Sequence, residues 1–191
     1  MRNSVTRIMV TRGKDKYLYF AAILLPLTFA IGCDLFSQNT PHPSDLDLIK
    51  NFEKYEAEFN ELIKMSNEDS KVIRIAHDFT RLENNWAWPR PESELGFSRQ
   101  RWDQYRSLFE KLGLDSGLSR ETDSDGAVVY LTAFSKGMVN RGSSKGYAYS
   151  EKALSPLFNS LDQNPIEPQK RNKHDVVYRK IKEHWYLSYD W

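Results

Sequence analysis

The stretch AVVYLTAF, residues 127 to 134, decides the fold class of this chain. Its β-branched and aromatic residues favour a strand, and its apolar side chains fall on both faces of that strand. Such a strand is stable only when other parts of the protein cover both of its faces. We therefore predict that residues 127 to 134 form a central strand of a β-sheet.

The sequence after this stretch contains further strand signals. RGSSKG (141 to 146) is a cluster of turn residues, and YAYS (147 to 150) is predicted to pair back across it as a hairpin. VVYRKI (176 to 181) and HWYLSYDW (184 to 191) predict a closing hairpin that turns at residues 182 and 183. These pairings make the predicted sheet mostly antiparallel, with four or more strands.

Two amphipathic helices are predicted before this sheet. The first begins after Ser44, a suitable N-cap, and ends in SNEDS (66 to 70); the second runs from Ser98 to Leu112, with Gly113 as its C-cap. Their apolar stripes consist of Leu48, Phe52, Tyr55, Phe59 and Leu62 in the first helix and Trp102, Tyr105, Leu108, Phe109 and Leu112 in the second. Residues 71 to 80 are a further strand candidate. The predicted fold class is α+β, with two main helices followed by the sheet.

Composition limits the classes of function. The chain has 191 residues, 40% hydrophobic and 28% charged, which is typical of one globular domain. The formal net charge is +1, so charge gives no indication of a nucleic-acid partner. A single cysteine cannot form an intramolecular disulfide, so the domain depends on its apolar core.

The first 33 residues are organised as an export signal. Five of the 27 basic side chains lie before residue 17, and residues 17 to 32, YLYFAAILLPLTFAIG, carry no charge. A basic region, an apolar run and small residues before a cleavage point are typical of a secretory signal peptide. The uncharged run is somewhat shorter than the roughly 20 residues with which a helix spans a bilayer.

The apolar run ends in FAIGC, and Cys33 is the only cysteine of the chain. This ending resembles the lipobox of bacterial lipoproteins, whose signal peptide is cut just before a cysteine that carries a lipid. The resemblance covers residues 1 to 33 and implies a lipidated Cys33, palmitate incorporation and a membrane anchor facing the periplasm. Asp34 follows, and in some enteric bacteria an aspartate at this position keeps a lipoprotein in the inner membrane.

The sequence leaves two other fates of this segment open. Ala30, Ile31 and Gly32 also form a small-x-small cleavage site for ordinary secretion, and the apolar run could remain uncleaved as an anchor. Secretion without a lipid would leave an unpaired thiol in an oxidising compartment, and lipidation removes that thiol. Translation could start at Met1 or at Met9.

The predicted organisation has three parts. Residues 1–32 are the signal peptide, residues 33–44 are the lipidated cysteine with a flexible, proline-containing tether, and residues 45–191 are a single α+β domain.

The segment WAWPRP supplies the candidate binding residues Trp86, Trp88 and Arg90. Indole rings beside prolines stack on sugars or peptides, and a guanidinium adds a cation to such a surface. The alternative is structural: the two tryptophans would cover the edge of the sheet or one of the helices.

No catalytic residue, metal site or cofactor is predicted. The four histidines are His42 in the tether, His77, His174 and His184, and none belongs to a recognisable nucleophile motif. ETDSDG (121 to 126) imitates part of a calcium loop, but Thr132 stands where that loop needs a bidentate glutamate, so a polar turn is the simpler interpretation.

Two groups of basic residues are predicted to be solvated surface, with an anionic partner or the membrane face as the alternative. They are Lys136, Arg141 and Lys145 beside the GSSKG turn, and Lys170, Arg171 and Lys173 in a loop.

The sequence therefore predicts a membrane-anchored envelope lipoprotein that is a non-enzymatic binding or accessory module. Envelope assembly and an immunity-type role both fit, and an unidentified envelope protein is the expected partner. The alternative is an envelope hydrolase that acts on cell-wall material, which requires His77 or His184 beside a carboxylate and a serine.

Overall fold

The computed structural model describes residues 41–82, 85–87, 97–124, 126–137, 142–162 and 176–190, and the following elements lie within them. The helices are α1 (Asp45–Lys54), α2 (Glu56–Glu68) and α3 (Arg99–Leu112). The strands are β1 (Val72–Ile75), β2 (Thr80–Leu82), β3 (Asn85–Ala87), β4 (Gly117–Asp123), β5 (Gly126–Lys136), β6 (Ser143–Ser150), β7 (Val176–Lys180) and β8 (Trp185–Asp190).

Strand β5, which contains the AVVYLTAF stretch, lies in the interior of the sheet as predicted. It pairs with β4 along one edge and with β6 along the other. Val129 and Leu131 pack into the main core, whereas Val128 packs into a second apolar cluster. The strand order is β3-β2-β1-β4-β5-β6-β8-β7 with antiparallel neighbours throughout, which confirms the α+β class.

Aromatic side chains of the helices and the sheet form the centre of the core. The ring of Phe59 on α2 lies 4.5 Å from that of Tyr147 on β6 and 5.7 Å from that of Trp185 on β8. Tyr105 and Phe109 on α3 are fully buried in the same core. Each large apolar side chain buried in this way contributes about 1.5–3 kcal/mol to stability.

Helix α3 has the predicted limits because both of its ends are capped. The Ser98 hydroxyl accepts a hydrogen bond from the Arg101 amide at 3.2 Å. Gly113 adopts the left-handed conformation, with φ of 66°, and the amide of Leu114 donates to the Phe109 carbonyl at 2.9 Å. Leu114 is buried, so the chain folds back onto the last turn of the helix.

The first predicted helix is in fact two helices. Ser44 caps α1 as predicted, since its side chain accepts from the Asp47 amide, but Tyr55 leaves helical geometry, with φ of −123° and ψ of 27°. The break allows Phe52 and Phe59 both to reach Trp185, with ring centroids 5.1 and 5.7 Å away. A straight helix drifts away from a twisted sheet, so the break keeps one apolar stripe in contact along its length.

The predicted turn at residues 141 to 146 is wrong, because β6 begins at Ser143 and includes Lys145 and Gly146. A Cβ at Gly146 would lie 2.2 Å from the carbonyl oxygen of Leu131, next to an irregularity in the β5–β6 pairing. Glycine is therefore required by close strand packing here and does not mark a turn. The predicted closing hairpin is confirmed by β7 and β8.

Candidate functional site

Eight of the residues singled out in the sequence lie outside the described residues: Cys33, Trp88, Arg90, Arg141, Lys170, Arg171, Lys173 and His174. Trp86 belongs to β3, where its backbone pairs with that of Arg81 on β2.

A charge cluster around a buried ion pair joins the start of α1 to the sheet; it consists of Asp45, Lys145, Asp162 and Arg179. Lys145 Nζ lies 2.8 Å from Asp45 Oδ1 and 2.8 Å from Asp162 Oδ1. Arg179 Nη1 lies 2.7 Å from Asp45 Oδ2. The Lys145 and Asp45 side chains are each only 1% exposed, so the central ion pair is almost fully removed from water.

Backbone amides complete this cluster. The Leu161 amide donates to Asp45 Oδ2 at 2.8 Å, and the Asp45 amide donates to Asp162 Oδ1 at 2.7 Å. Burial raises the pKa of Asp45, but the hydrogen bonds from Lys145, Leu161 and Arg179 outweigh it and lower the pKa below its ordinary value. Asp45 is therefore ionised at neutral pH and fixes α1, β6, β7 and the segment at Leu161 to one another.

Lys145 is thus a structural residue and does not contribute to a solvated basic patch, which corrects the sequence prediction. Its burial follows from the alternation along β6, because Lys145, Tyr147 and Tyr149 point to the same face of the sheet as the helices. This period of two was the signal in the sequence that identifies Lys145 as inward-facing. Its partner Asp45 lies in the first turn of α1, where acids are common, so nothing local marked that carboxylate as buried.

His42 contacts a serine next to this cluster. Its Nε2 lies 2.7 Å from Ser143 Oγ, and its ring packs edge-on against Phe134 and Tyr189, with centroids 5.1 and 5.2 Å away. Burial, together with the positive charges of Lys145 and Lys136, lowers the pKa of His42, so the ring is neutral at pH 7. His42 was assigned to the tether from the sequence, and in the structure it packs against the sheet.

The His42–Ser143 contact has the first part of a nucleophile–base arrangement and lacks the second. A catalytic histidine is usually oriented by an acceptor on its other ring nitrogen. His42 Nδ1 is buried and has no hydrogen-bond partner among the described residues. The contact is therefore a partly buried polar link that holds the residues before α1 against β6.

The other two described histidines lie in different surroundings. His77 Nε2 lies 2.9 Å from the Leu114 carbonyl oxygen, and its ring packs against Phe109. His184 is 40% exposed, with Nε2 3.9 Å from Glu183 Oε1. In the described ranges, neither ring forms the serine and carboxylate constellation that the hydrolase alternative requires.

A groove runs between α2 and the sheet; we call it the α2 groove. One cavity of about 250 Å³ is lined by Asn67, Arg120, Val129, Tyr149, Glu151 and Lys152, among others. A neighbouring cavity of about 510 Å³ shares Asn67 and Tyr149 with it and continues along α2 to Asn60. The groove mixes an aromatic wall with amide and charged groups, which is suitable for binding a polar ligand.

The calcium-like segment lies at one end of this groove. Glu121 lies within β4, and Asp123 at the end of β4 pairs with Gly126 at the start of β5. The chain therefore turns between Asp123 and Gly126, as the polar-turn interpretation predicts, but the turn does not include Glu121. Asp123 binds Lys152 Nζ at 2.7 and 2.8 Å. Within the part of the chain that the structure describes, no group of three or more His, Cys, Asp or Glu side chains is arranged to hold a metal ion.

Comparisons of the chain with protein-family models, with curated proteins and with solved structures find no match. None of the helices within the described residues is sufficiently long and apolar to cross a membrane.

Proposed function

We propose that this protein is a lipid-anchored lipoprotein of the bacterial envelope whose folded domain is a non-enzymatic binding or accessory module. The observation that carries the proposal is the single cysteine, which follows directly after the basic segment and the uncharged run of residues 17 to 32. Lipidation of Cys33 accounts both for its position and for its being the only cysteine of the chain. Asp34 favours the inner membrane, with the domain facing the periplasm.

The start of the folded unit supports an anchored role. The compact unit begins at His42, and the nine Cα–Cα steps from Cys33 to His42 span at most about 30 Å. His42 and Asp45 are tied to the sheet through Ser143 and Lys145. An acyl chain on Cys33 would therefore keep the domain close to the membrane. The tether would join the domain at a segment that is itself bound to the sheet.

Incorporation of labelled palmitate tests the anchor. We expect the wild-type chain to take up label in a bacterial host and to fractionate with membranes, and Cys33→Ser to do neither. Because Cys33 precedes the folded unit, circular dichroism should show the same secondary structure for both chains. A wild-type chain that takes up no label and is recovered as a secreted soluble protein would contradict the proposal.

Cross-linking in intact cells tests the binding role. We expect the wild-type chain to cross-link to a specific envelope protein, identified by mass spectrometry, and Cys33→Ser to lose most of that product because it no longer concentrates at the membrane. Recovery of the same products from an unrelated lipoprotein of similar abundance would contradict a specific partner.

The hydrolase alternative rests on one observation, the 2.7 Å contact between His42 Nε2 and Ser143 Oγ. If Ser143 is a nucleophile, a fluorophosphonate probe should label the wild-type chain and should not label Ser143→Ala. Under the binding-module proposal the probe labels neither chain, and Ser143→Ala cross-links to the same partner as the wild type. The two outcomes separate the classes of function without requiring a known substrate.

A further inference from the structure

Arg120 is a partly buried cation in the α2 groove. Its Nη2 donates to Ser66 Oγ at 3.2 Å and to Asn67 Oδ1, both at the end of α2. Its Nε is buried and has no hydrogen-bond partner among the described residues. No carboxylate of the described residues lies within 4.0 Å of the guanidinium, so its charge is not compensated by an acid there.

Two neighbouring cations, in contrast, form ion pairs with carboxylates. Lys152, which lines the same cavity, is bound by Asp123 at 2.7 Å. Arg101, on α3, is bound by Glu68 at 2.6 Å and by Asp69 at 2.8 Å. Burial lowers the pKa of Arg120, the direction expected for a cation that has lost water without gaining an acid.

An uncompensated guanidinium in a cavity indicates an anionic ligand. Arginine has five N–H donors, and Nη2 of Arg120 already donates to Ser66 and Asn67. Nη1 makes no hydrogen bond with a described residue, so its N–H groups can form charge-assisted hydrogen bonds with an anion. The contacts of Nη2 with Ser66 and Asn67 fix the plane of the guanidinium before any ligand arrives, which reduces the entropy lost on binding.

The walls of the cavity indicate what accompanies the anion. Ala127, Val129 and Tyr149 line the same cavity as Arg120, and its volume of about 250 Å³ is of the order of a single amino-acid residue. A C-terminal residue carries its carboxylate and its side chain on the same Cα, so both groups would enter this cavity together. An internal acidic side chain would supply the anion and leave the apolar wall uncovered.

We propose that the α2 groove binds the C-terminus of a partner protein, with the terminal carboxylate on Arg120 and an apolar terminal side chain against Val129 and Tyr149. The preceding residues of the partner lie in the neighbouring cavity along α2. This inference rests on the proposed binding function and names the chemistry of the partner.

The charges around Arg120 favour a carboxylate over a phosphate group. A phosphate group carries about −1.5 to −2 at neutral pH and is usually held by several cations. Here Lys152 is already neutralised by Asp123, and Glu151 adds a negative charge to the lining. One uncompensated guanidinium matches a single negative charge.

The test is an NMR titration of the full chain, ¹⁵N-labelled, in detergent micelles. The probes are N-acetyl-phenylalanine, its amide, the α-amide of N-acetyl-glutamic acid, and inorganic phosphate. We expect saturable shifts of the Val129 and Tyr149 amides with N-acetyl-phenylalanine, and binding at least about tenfold weaker for its amide because the charge is lost. We also expect weaker binding of the glutamic acid derivative and of phosphate.

Variants assign the binding to Arg120. Arg120→Gln should weaken the binding of N-acetyl-phenylalanine about tenfold, and Arg120→Lys should retain part of it, because lysine keeps the positive charge but lacks the planar guanidinium that Ser66 and Asn67 orient. Glu151→Gln should tighten binding about twofold, because it removes a negative charge that repels the carboxylate of the probe. The control Arg106→Gln, on α3 beside Asp103, should leave binding unchanged.

Several outcomes would overturn the inference. They are equal binding of the acid and its amide, stronger binding of phosphate or of the glutamic acid derivative, no saturable shifts, or an unchanged affinity in Arg120→Gln. The comparison between acid and amide uses the wild-type chain, so it stands even if Arg120→Gln does not fold. A wild-type chain that binds no probe yet cross-links to an envelope partner would refute this inference and leave the proposed function intact.

Discussion

At the scale of single residues, Lys145 is the side chain whose environment differs most from its expected one. A lysine that is 1% exposed is stable only because Asp45 and Asp162 lie 2.8 Å from its ammonium group. Removing one partner of such a group leaves the other charge buried and uncompensated, which costs more than the pair itself contributes.

Lys145→Met should therefore lower the free energy of unfolding by about 3–5 kcal/mol, measured by urea denaturation. The control is Lys152→Met, whose partner Asp123 is 60% exposed and whose loss should cost less than about 1 kcal/mol. A loss of less than about 1 kcal/mol in Lys145→Met would show that the cluster is not structural.

The lowered pKa of His42 predicts how the stability of the fold depends on pH. Its folded-state pKa lies below its ordinary value of 6.5, so the unfolded chain takes up a proton on His42 more readily than the folded chain does. Stability should fall as the pH is lowered through 6.5, and His42→Gln should lose that contribution. The measurement is the urea midpoint at about pH 7.5 and at about pH 5.5 for both chains.

The lowered pKa of Asp45 does not interfere with this measurement. Its contribution to stability is present above its ordinary value of 3.8 and is lost only as the pH falls below that value. A wild-type midpoint that falls no further than that of His42→Gln would contradict the expected role of His42.

At the scale of elements, the interior strands were predictable where the pattern was local. AVVYLTAF identified β5 because its residues are apolar on both faces, and Ser98 and Gly113 fixed the limits of α3. The break at Tyr55 was not predictable, because residues Phe52 and Phe59 keep a helical spacing on either side of it. The break is determined by the packing of both rings against the sheet. The local sequence pattern carries no information about that packing.

A prediction at this scale concerns the effect of a larger residue at Gly146 on stability. A methyl group there would meet the Leu131 carbonyl oxygen, so β5 and β6 would have to separate at the irregularity in their pairing. Gly146→Ala should lower the free energy of unfolding by about 2–3 kcal/mol in urea denaturation. Ser144→Ala, on the same strand and face, should cost less than about 1 kcal/mol, and a similar loss for both variants would contradict the close approach.

At the scale of the whole molecule, the sequence predicted the α+β class but not the charge cluster around Asp45 and Lys145. Its members Asp45, Lys145, Asp162 and Arg179 are separated by up to 134 positions, so only the folded sheet brings them together. The α2 groove has the same origin, because Asn67, Arg120 and Tyr149 come from three elements. Sequence patterns specify elements, whereas these sites arise from the packing of elements.

The proposed anchor differs from these sites, because it is inferred from the local order of residues 1 to 33 alone. Intact-mass spectrometry of the mature chain, purified from bacterial membranes, tests it most directly. We predict a chain that begins at Cys33 and carries the added mass of a diacylglyceryl group on that residue. A chain beginning at Cys33 with a free thiol, or a chain that retains residues 1 to 32, would contradict the lipoprotein proposal.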